Sequence, residues 1–272
     1  VMYTAEPYST GYLNCTKKCQ NDDILIYKKM DKLFITTLMY EENKTNYLAP
    51  YLNKCVSLEF PNIKEMEKIP ENTLAFSQEN DGEIAFDDTK INLVYTGMLY
   101  PQIRSPQFLL DLICTLDENI TLTMVAGGYD GFPYDFFENY KQKLGKRLQL
   151  VGFLSQEKTN ELNAVADVLV NIGNKVENQL PSKVLDYIST GKAILNLCQI
   201  ENCSSKKLLE KYPLKLNVME NENISEEMTQ KVNDFCKKSK GETLPYSAVY
   251  KEYSDWTLEA VCQKIQKHLQ LM

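Results

Sequence analysis

The sequence predicts an α/β fold built on a doubly wound parallel sheet, and three observations predict it. Between Ile91 and Met219, apolar runs of four to six residues alternate with stretches of helical period. The runs are continuously apolar rather than alternating, as expected for parallel strands covered on both faces. Three of them end on a glycine, and a fourth is followed by the pair Gly127-Gly128. Glycine there tolerates positive φ and lets a ligand approach the backbone. Ligands of such sheets bind beyond the carboxyl ends of the strands.

In order, Ile91–Tyr95 reads as a strand ending in Thr96-Gly97. Ser105–Leu116 reads as a helix with Phe108, Leu109, Leu112 and Ile113 on one face. Leu122–Ala126 is the next expected strand, and Tyr134–Leu144 a helix closed by Gly145. Leu148–Val151 is expected as a strand ending at Gly152, followed by a helix over Gln156–Val165. Val168–Ile172 ends at Gly173, and Ala193–Leu197 follows a short helix, Pro181–Thr190, that stops at Gly191. The first 88 residues differ. A helix is expected at Asp23–Met30, a strand at Lys32–Thr37, a helix at Glu41–Leu52 broken by Pro50, and a strand at Cys55–Phe60 stopped by Pro61. These pieces read as the last units of a second α/β domain, joined by a polar linker from Pro70 to Asp88. Asn223–Lys238 and Ser247–Leu271 are expected as long helices. The second carries an apolar stripe through Tyr250, Tyr253, Trp256, Leu258, Val261 and Ile265. The predicted organisation is a partial N-terminal part with linker (1–88), a sheet domain (89–246) and a C-terminal helix (247–272).

Composition narrows the function classes. Of 272 residues, 43% are hydrophobic and 25% charged, which suits an ordinary globular protein. The net charge of -7 opposes non-specific nucleic-acid binding, which needs a basic face. No apolar run approaches the ~20 residues that span a bilayer, and nothing at Val1 reads as a signal peptide. The eight cysteines form no CxxC pair, so Cys15 and Cys19 read as thiols rather than metal ligands. Reduced thiols point to the cytoplasm. The single histidine, His268, leaves little room for a Ser-His-Asp or Cys-His mechanism.

The chemistry concentrates in the stretch Asn178–Leu195. Pro181 suits a first helical position, so Ser182 and Lys183 occupy the first turn, with no carboxylate beside them. A helix N-terminus is already positive, and adding Lys183 costs stability unless an anion sits outside. The stretch therefore reads as a phosphate or diphosphate site, the bland alternative being a solvated surface lysine. Asp186, one turn on, suits two ribose hydroxyls or an ion pair with Lys183. Arg104 lies in the loop Gly97–Arg104 on the ligand side of the sheet, where a guanidinium matches phosphate. A structural salt bridge is its alternative role.

Pro181-Ser182-Lys183-Val184-Leu185-Asp186-Tyr187 with Gly191-Lys192 resembles the donor-site segment of GT-B glycosyltransferases of the group 1 type, in the variant with a Pro-Ser-Lys motif. The Val94–Leu110 stretch looks like that family's first glycine loop with its arginine, and Leu148–Leu162 like the strand and loop that hold the nucleotide base. The resemblance implies two facing Rossmann-like domains, with the last helix crossing back to the N-terminal one. It implies transfer of a sugar from a UDP- or GDP-type donor to a saccharide or lipid-linked acceptor, in bacterial cell-surface polysaccharide synthesis. Arg104 and Lys183 would be the catalytic cations, with no metal and no cofactor beyond the nucleotide-sugar substrate. Donor contacts would come from Gly97, Tyr100, Gly127, Gly152, Phe153, Leu154, Asn178, Pro181, Ser182 and Asp186. Phe153 and Leu154 would frame the base. Asp186 stands where the family often has glutamate, and Asn178 where many members carry a second one, so retention or inversion stays open. The expected setting is the cytoplasm, with peripheral association at the inner face of the membrane left open and no nucleic-acid partner. A non-catalytic nucleotide- or partner-binding descendant of such an enzyme is the alternative.

Overall fold

The computed structural model describes residues 2–4, 17–66, 76–77, 83–84, 86–175, 177, 182–220 and 223–270. The chain begins with a small parallel sheet of β1 (Met2–Thr4), β2 (Leu33–Thr36) and β3 (Cys55–Leu58), in that spatial order. Helices α1 (Lys17–Lys29) and α2 (Thr37–Asn43) accompany it. The alternation of β2 sets its two faces: Leu33 and Ile35 pack with Tyr27, Met39 and Leu48, while Phe34 packs with Val56 and Leu58 on the other side. The helix expected at Glu41–Leu52 is divided. Thr36 caps α2 by accepting from the Met39 amide at 3.3 Å, which starts the helix early. Past Asn43, the Asn46 carboxamide accepts from the Leu48 amide at 2.8 Å, a local turn that competes with helix. A separate 3-10 turn, Ala49–Lys54, then carries Pro50.

After a two-stranded antiparallel ribbon, β4 (Phe76–Ser77) and β5 (Glu83–Ile84), the chain enters the main sheet. Its strands are β6 (Ile91–Met98), β7 (Ile120–Gly127), β8 (Leu148–Val151), β9 (Val168–Ile172), β10 (Ala193–Cys198) and β11 (Lys215–Met219). All pairings are parallel, and the spatial order is β11-β10-β9-β6-β7-β8. The strands are nearly all buried, as their unbroken apolar runs require. Helices α3 (Gln107–Thr115), α4 (Phe136–Leu144) and α8 (Glu226–Ser239) cover one face through Leu109, Ile113, Tyr140, Leu144 and Val232. Helices α5 (Gln156–Val165), α6 (Ser182–Thr190) and α9 (Tyr246–Tyr253) cover the other through Leu162, Val184, Ile188 and Val249. A short α7 (Ser204–Leu208) follows β10.

The strand order reverses between β6 and β9. In doubly wound sheets this switch point opens a crevice beyond the strand ends, because the two following connections leave toward opposite faces. Gly97-Met98 and Gly173-Asn174 lie there.

The helix expected over Ser247–Leu271 is broken. A 3-10 turn, Ser254–Trp256, separates α9 from α10 (Leu258–Gln270). Thr257 restarts the helix, its hydroxyl accepting from the Ala260 amide at 3.3 Å. The break redirects the chain: α10 lays Val261 and Ile265 on Phe34, Val56 and Leu58 of the small sheet. The segment between the sheets docks on α6. The Ile63 amide bonds the Trp256 carbonyl at 3.0 Å, and the Lys64 amide bonds the Ser189 hydroxyl at 3.2 Å. Among the described residues, no helix is long and apolar enough to cross a membrane.

Candidate functional site

At the carboxyl edge of β6, β7 and β8 lies a cleft of ≈ 220 Å³ whose lining includes Gly97, Met98, Gly127, Phe153, Leu154 and Lys183. Gly127 lets the Met98 and Phe153 side chains close over its floor. A Cβ added there would stand 2.5 Å from Met98 Sδ and 2.6 Å from Phe153 Cζ. Gly97 is held at φ +152, a conformation that L side chains rarely adopt. Phe153 is 80% exposed, so an apolar ring stands at the mouth of the cleft with little cover.

Two cations on different elements stand at or beside this cleft. Lys183 comes from the first turn of α6, which contains no acidic residue, and it lines the cleft. Arg104 comes from the loop after β6. That loop is closed on itself by reciprocal backbone bonds, Tyr100 N to Arg104 O at 3.2 Å and Arg104 N to Tyr100 O at 2.7 Å. The Arg104 guanidinium donates to Asn174 Oδ1 from Nε at 3.0 Å and from Nη2 at 2.6 Å, and to the Met98 carbonyl from Nη1 at 3.4 Å. Its Nη1 would lie 4.0 Å from a Cβ on Gly97. Among the described residues Arg104 forms no salt bridge. The structural ion pair weighed for it is therefore not formed there; a neutral amide holds it instead. Lys183 thus lines the cleft together with Gly97, and Arg104 stands beside Gly97, held by Asn174 and Met98, outside the residues that line the cleft.

Asp186 faces a different way. Its Oδ1 accepts from Asn62 Nδ2 at 3.3 Å. Burial raises its pKa, and Lys183 and Lys64 pull it back down. It does not line the cleft. Ser182 is exposed at the start of α6, and Tyr100 is exposed in the Arg104 loop. Gly152 is exposed with nothing within 4 Å of an added Cβ. Asn178 and Pro181 lie outside the described residues, as does Cys15.

The residue that sequence reasoning passed over is Tyr187. Its ring is buried in the apolar stripe of α6, and its hydroxyl bonds the Thr96 amide and Thr96 Oγ1, each at 3.0 Å. Burial raises its pKa, so the phenol stays protonated and also reaches the Thr96 carbonyl at 3.2 Å. This contact fastens the helix carrying Lys183 to the strand residue just before Gly97. The signal was present: a hydroxyl within a buried apolar stripe requires a partner.

The sequence matches no protein-family model and no curated protein. Its fold does match solved structures. Anabaena HepE in complex with UDP-glucose superposes with a TM-score of 0.64 at 10% identity, over 99% of this chain and 71% of that one. A variant of S. aureus TarM, in complex with fondaparinux, α-GlcNAc-glycerol and UDP, gives 0.59 at 13%, over 97% of this chain and 49% of that one. A glycosyltransferase from Rickettsia africae gives 0.58 at 12%, over 96% and 67%. The chain thus has the GT-B glycosyltransferase fold, with the six-stranded parallel sheet as its Rossmann-like unit.

Proposed function

We propose that this protein is a glycosyltransferase that moves a sugar from a UDP- or GDP-type nucleotide-sugar to a saccharide or lipid-linked acceptor in cell-surface polysaccharide synthesis. The observation that carries the reading is that Gly97, at the carboxyl end of β6, shares a cleft with Lys183 of the α6 first turn and has the Arg104 guanidinium beside it. HepE and TarM, which share the fold, were solved with UDP-glucose and UDP respectively.

In this reading the diphosphate sits at the N-terminus of α6, in the Pro-Ser-Lys segment, and the base reaches past Phe153 and Leu154. As the bond between the sugar and the β-phosphate breaks, negative charge grows on the leaving phosphate. Arg104 and Lys183 stabilise that charge in place, the role a divalent metal plays in other transferases, so we read the reaction as metal-independent. Gly97 lets the reacting groups approach the backbone. Asp186 is assigned to the ribose, which requires it to exchange its bond with Asn62 for ribose hydroxyls. Titration calorimetry with UDP, GDP and CMP tests the assignment, followed by donor hydrolysis or transfer with and without EDTA. Binding of a nucleoside diphosphate that Arg104→Ala and Lys183→Ala weaken is expected. Binding without turnover would favour the non-catalytic reading.

A further inference from the structure

Gln199 stands just past β10, and its amide nitrogen donates twice, to the Ile103 carbonyl at 3.0 Å and to the Gly173 carbonyl at 2.6 Å. Ile103 immediately precedes Arg104, and Gly173 immediately precedes Asn174. One carboxamide therefore ties together the two backbones that carry the next pair in the chain of contacts. Asn174, only 6% exposed, then accepts the Arg104 guanidinium twice with Oδ1. These bonds use Nε and Nη2, which leaves Nη1 as the nitrogen nearest Gly97.

The chemistry of the acceptor matters here. A carboxylate at position 174 would hold the guanidinium through the same two bonds and would also cancel its charge. A carboxamide fixes the orientation and leaves the full positive charge for an incoming anion. Resting on the donor-site reading above, we propose that Asn174 and Gln199 are positioning residues for Arg104. Gln199 sets the spacing between the Arg104 loop and the end of β9, and Asn174 aims the guanidinium at the diphosphate position without neutralising it.

The test is a titration of the full chain with UDP and uridine, and in parallel with GDP and guanosine. The ratio of the two affinities reads what the diphosphate adds to binding. Asn174→Asp is expected to weaken UDP or GDP about tenfold, as loss of a charge-assisted contact does, while the nucleoside binds as before. Gln199→Ala is expected to shift the ratio in the same direction by a smaller factor. Asn174→Ser keeps a neutral acceptor and is expected to retain more of the ratio than Asn174→Asp, which guards against a folding defect in the charged variant. If Arg104→Ala collapses the ratio while Asn174→Asp and Gln199→Ala leave it unchanged, or weaken nucleoside and nucleotide equally, the inference is overturned and the donor site stands. If wild type binds no nucleoside diphosphate, or Arg104→Ala leaves the ratio unchanged, the donor-site reading fails and this inference fails with it.

Discussion

The two edges of the six-stranded sheet each hold an arginine, and they are held in opposite ways. At the amino edge, Arg147 is buried and spends its donors on the chain. It bonds the carbonyls of Ile120 at 3.0 Å, Ile113 at 2.8 Å, Leu116 at 3.0 Å and Asp117 at 3.2 Å, and it pairs with Glu118 at 3.4 Å. Nearby charges are likewise matched: Asp117 takes Lys237 at 2.7 Å and Asn233 at 3.0 Å. At the carboxyl edge, Arg104 is aimed by an amide and a carbonyl, and Lys183 opens a helix with no acid in its first turn. The same side chain is buried mortar in one place and half-buried, without a carboxylate partner among the described residues, in the other. The difference lies in the partners: carbonyls and a carboxylate consume Arg147, whereas a neutral amide leaves Arg104 available.

Substituting each arginine sharpens this contrast. Arg147→Ala strips partners from several buried carbonyls and is expected to cost about 3 kcal/mol of unfolding free energy, measured by urea denaturation. Arg104→Ala is expected to cost less than about 1 kcal/mol of stability but roughly 2 kcal/mol of UDP or GDP binding. If the two variants lose stability equally, the division between the edges breaks down.

Glu220, just past β11 on the carboxyl edge, extends the comparison to pH. Burial raises its pKa from 4.5 to about 7, against the pull of Lys175, and among the described residues its Oε1 has no hydrogen-bond partner. The folded chain therefore keeps a proton that the unfolded chain releases between these values. Stability attributable to this group is present at acid pH and is lost as pH rises through about 7. Glu220→Gln is expected to stabilise the protein by about 2 kcal/mol at pH 8 and to do nothing at pH 4, read from melting curves. A smaller effect is expected from Tyr187→Phe, about 1 kcal/mol, because it removes the partner of the Thr96 amide. It should also weaken nucleotide binding if the link from α6 to β6 positions Lys183.

Much of the sheet was legible because a strand buried on both faces must be apolar throughout. Leu148–Val151 and Val168–Ile172 are found as expected, and β6 and β7 only run longer. The strand β11 was harder to see: Lys-Leu-Asn-Val-Met lies at the edge of the sheet, mostly half-buried, so its pattern is mixed. The break at Ser254–Trp256 has no Pro or Gly to mark it, and Thr257 was its only signal. At the candidate site, the places of Arg104 after a strand and Lys183 at a helix start were legible in the sequence. Their setting could not, since Asn174 is 70 residues from Arg104 and Thr96 is 91 from Tyr187. Such pairs follow from the order of the strands, which local periodicity does not encode.

The most direct measurement is calorimetric titration of the wild type and the Arg104→Ala/Lys183→Ala double variant with UDP, GDP and CMP, alongside their urea melts. The account predicts that UDP or GDP binds the wild type below millimolar concentration. The double variant should lose roughly 100-fold in affinity while its stability changes by less than about 1 kcal/mol. Equal binding by both proteins, or no binding of any nucleotide to the wild type, would contradict it.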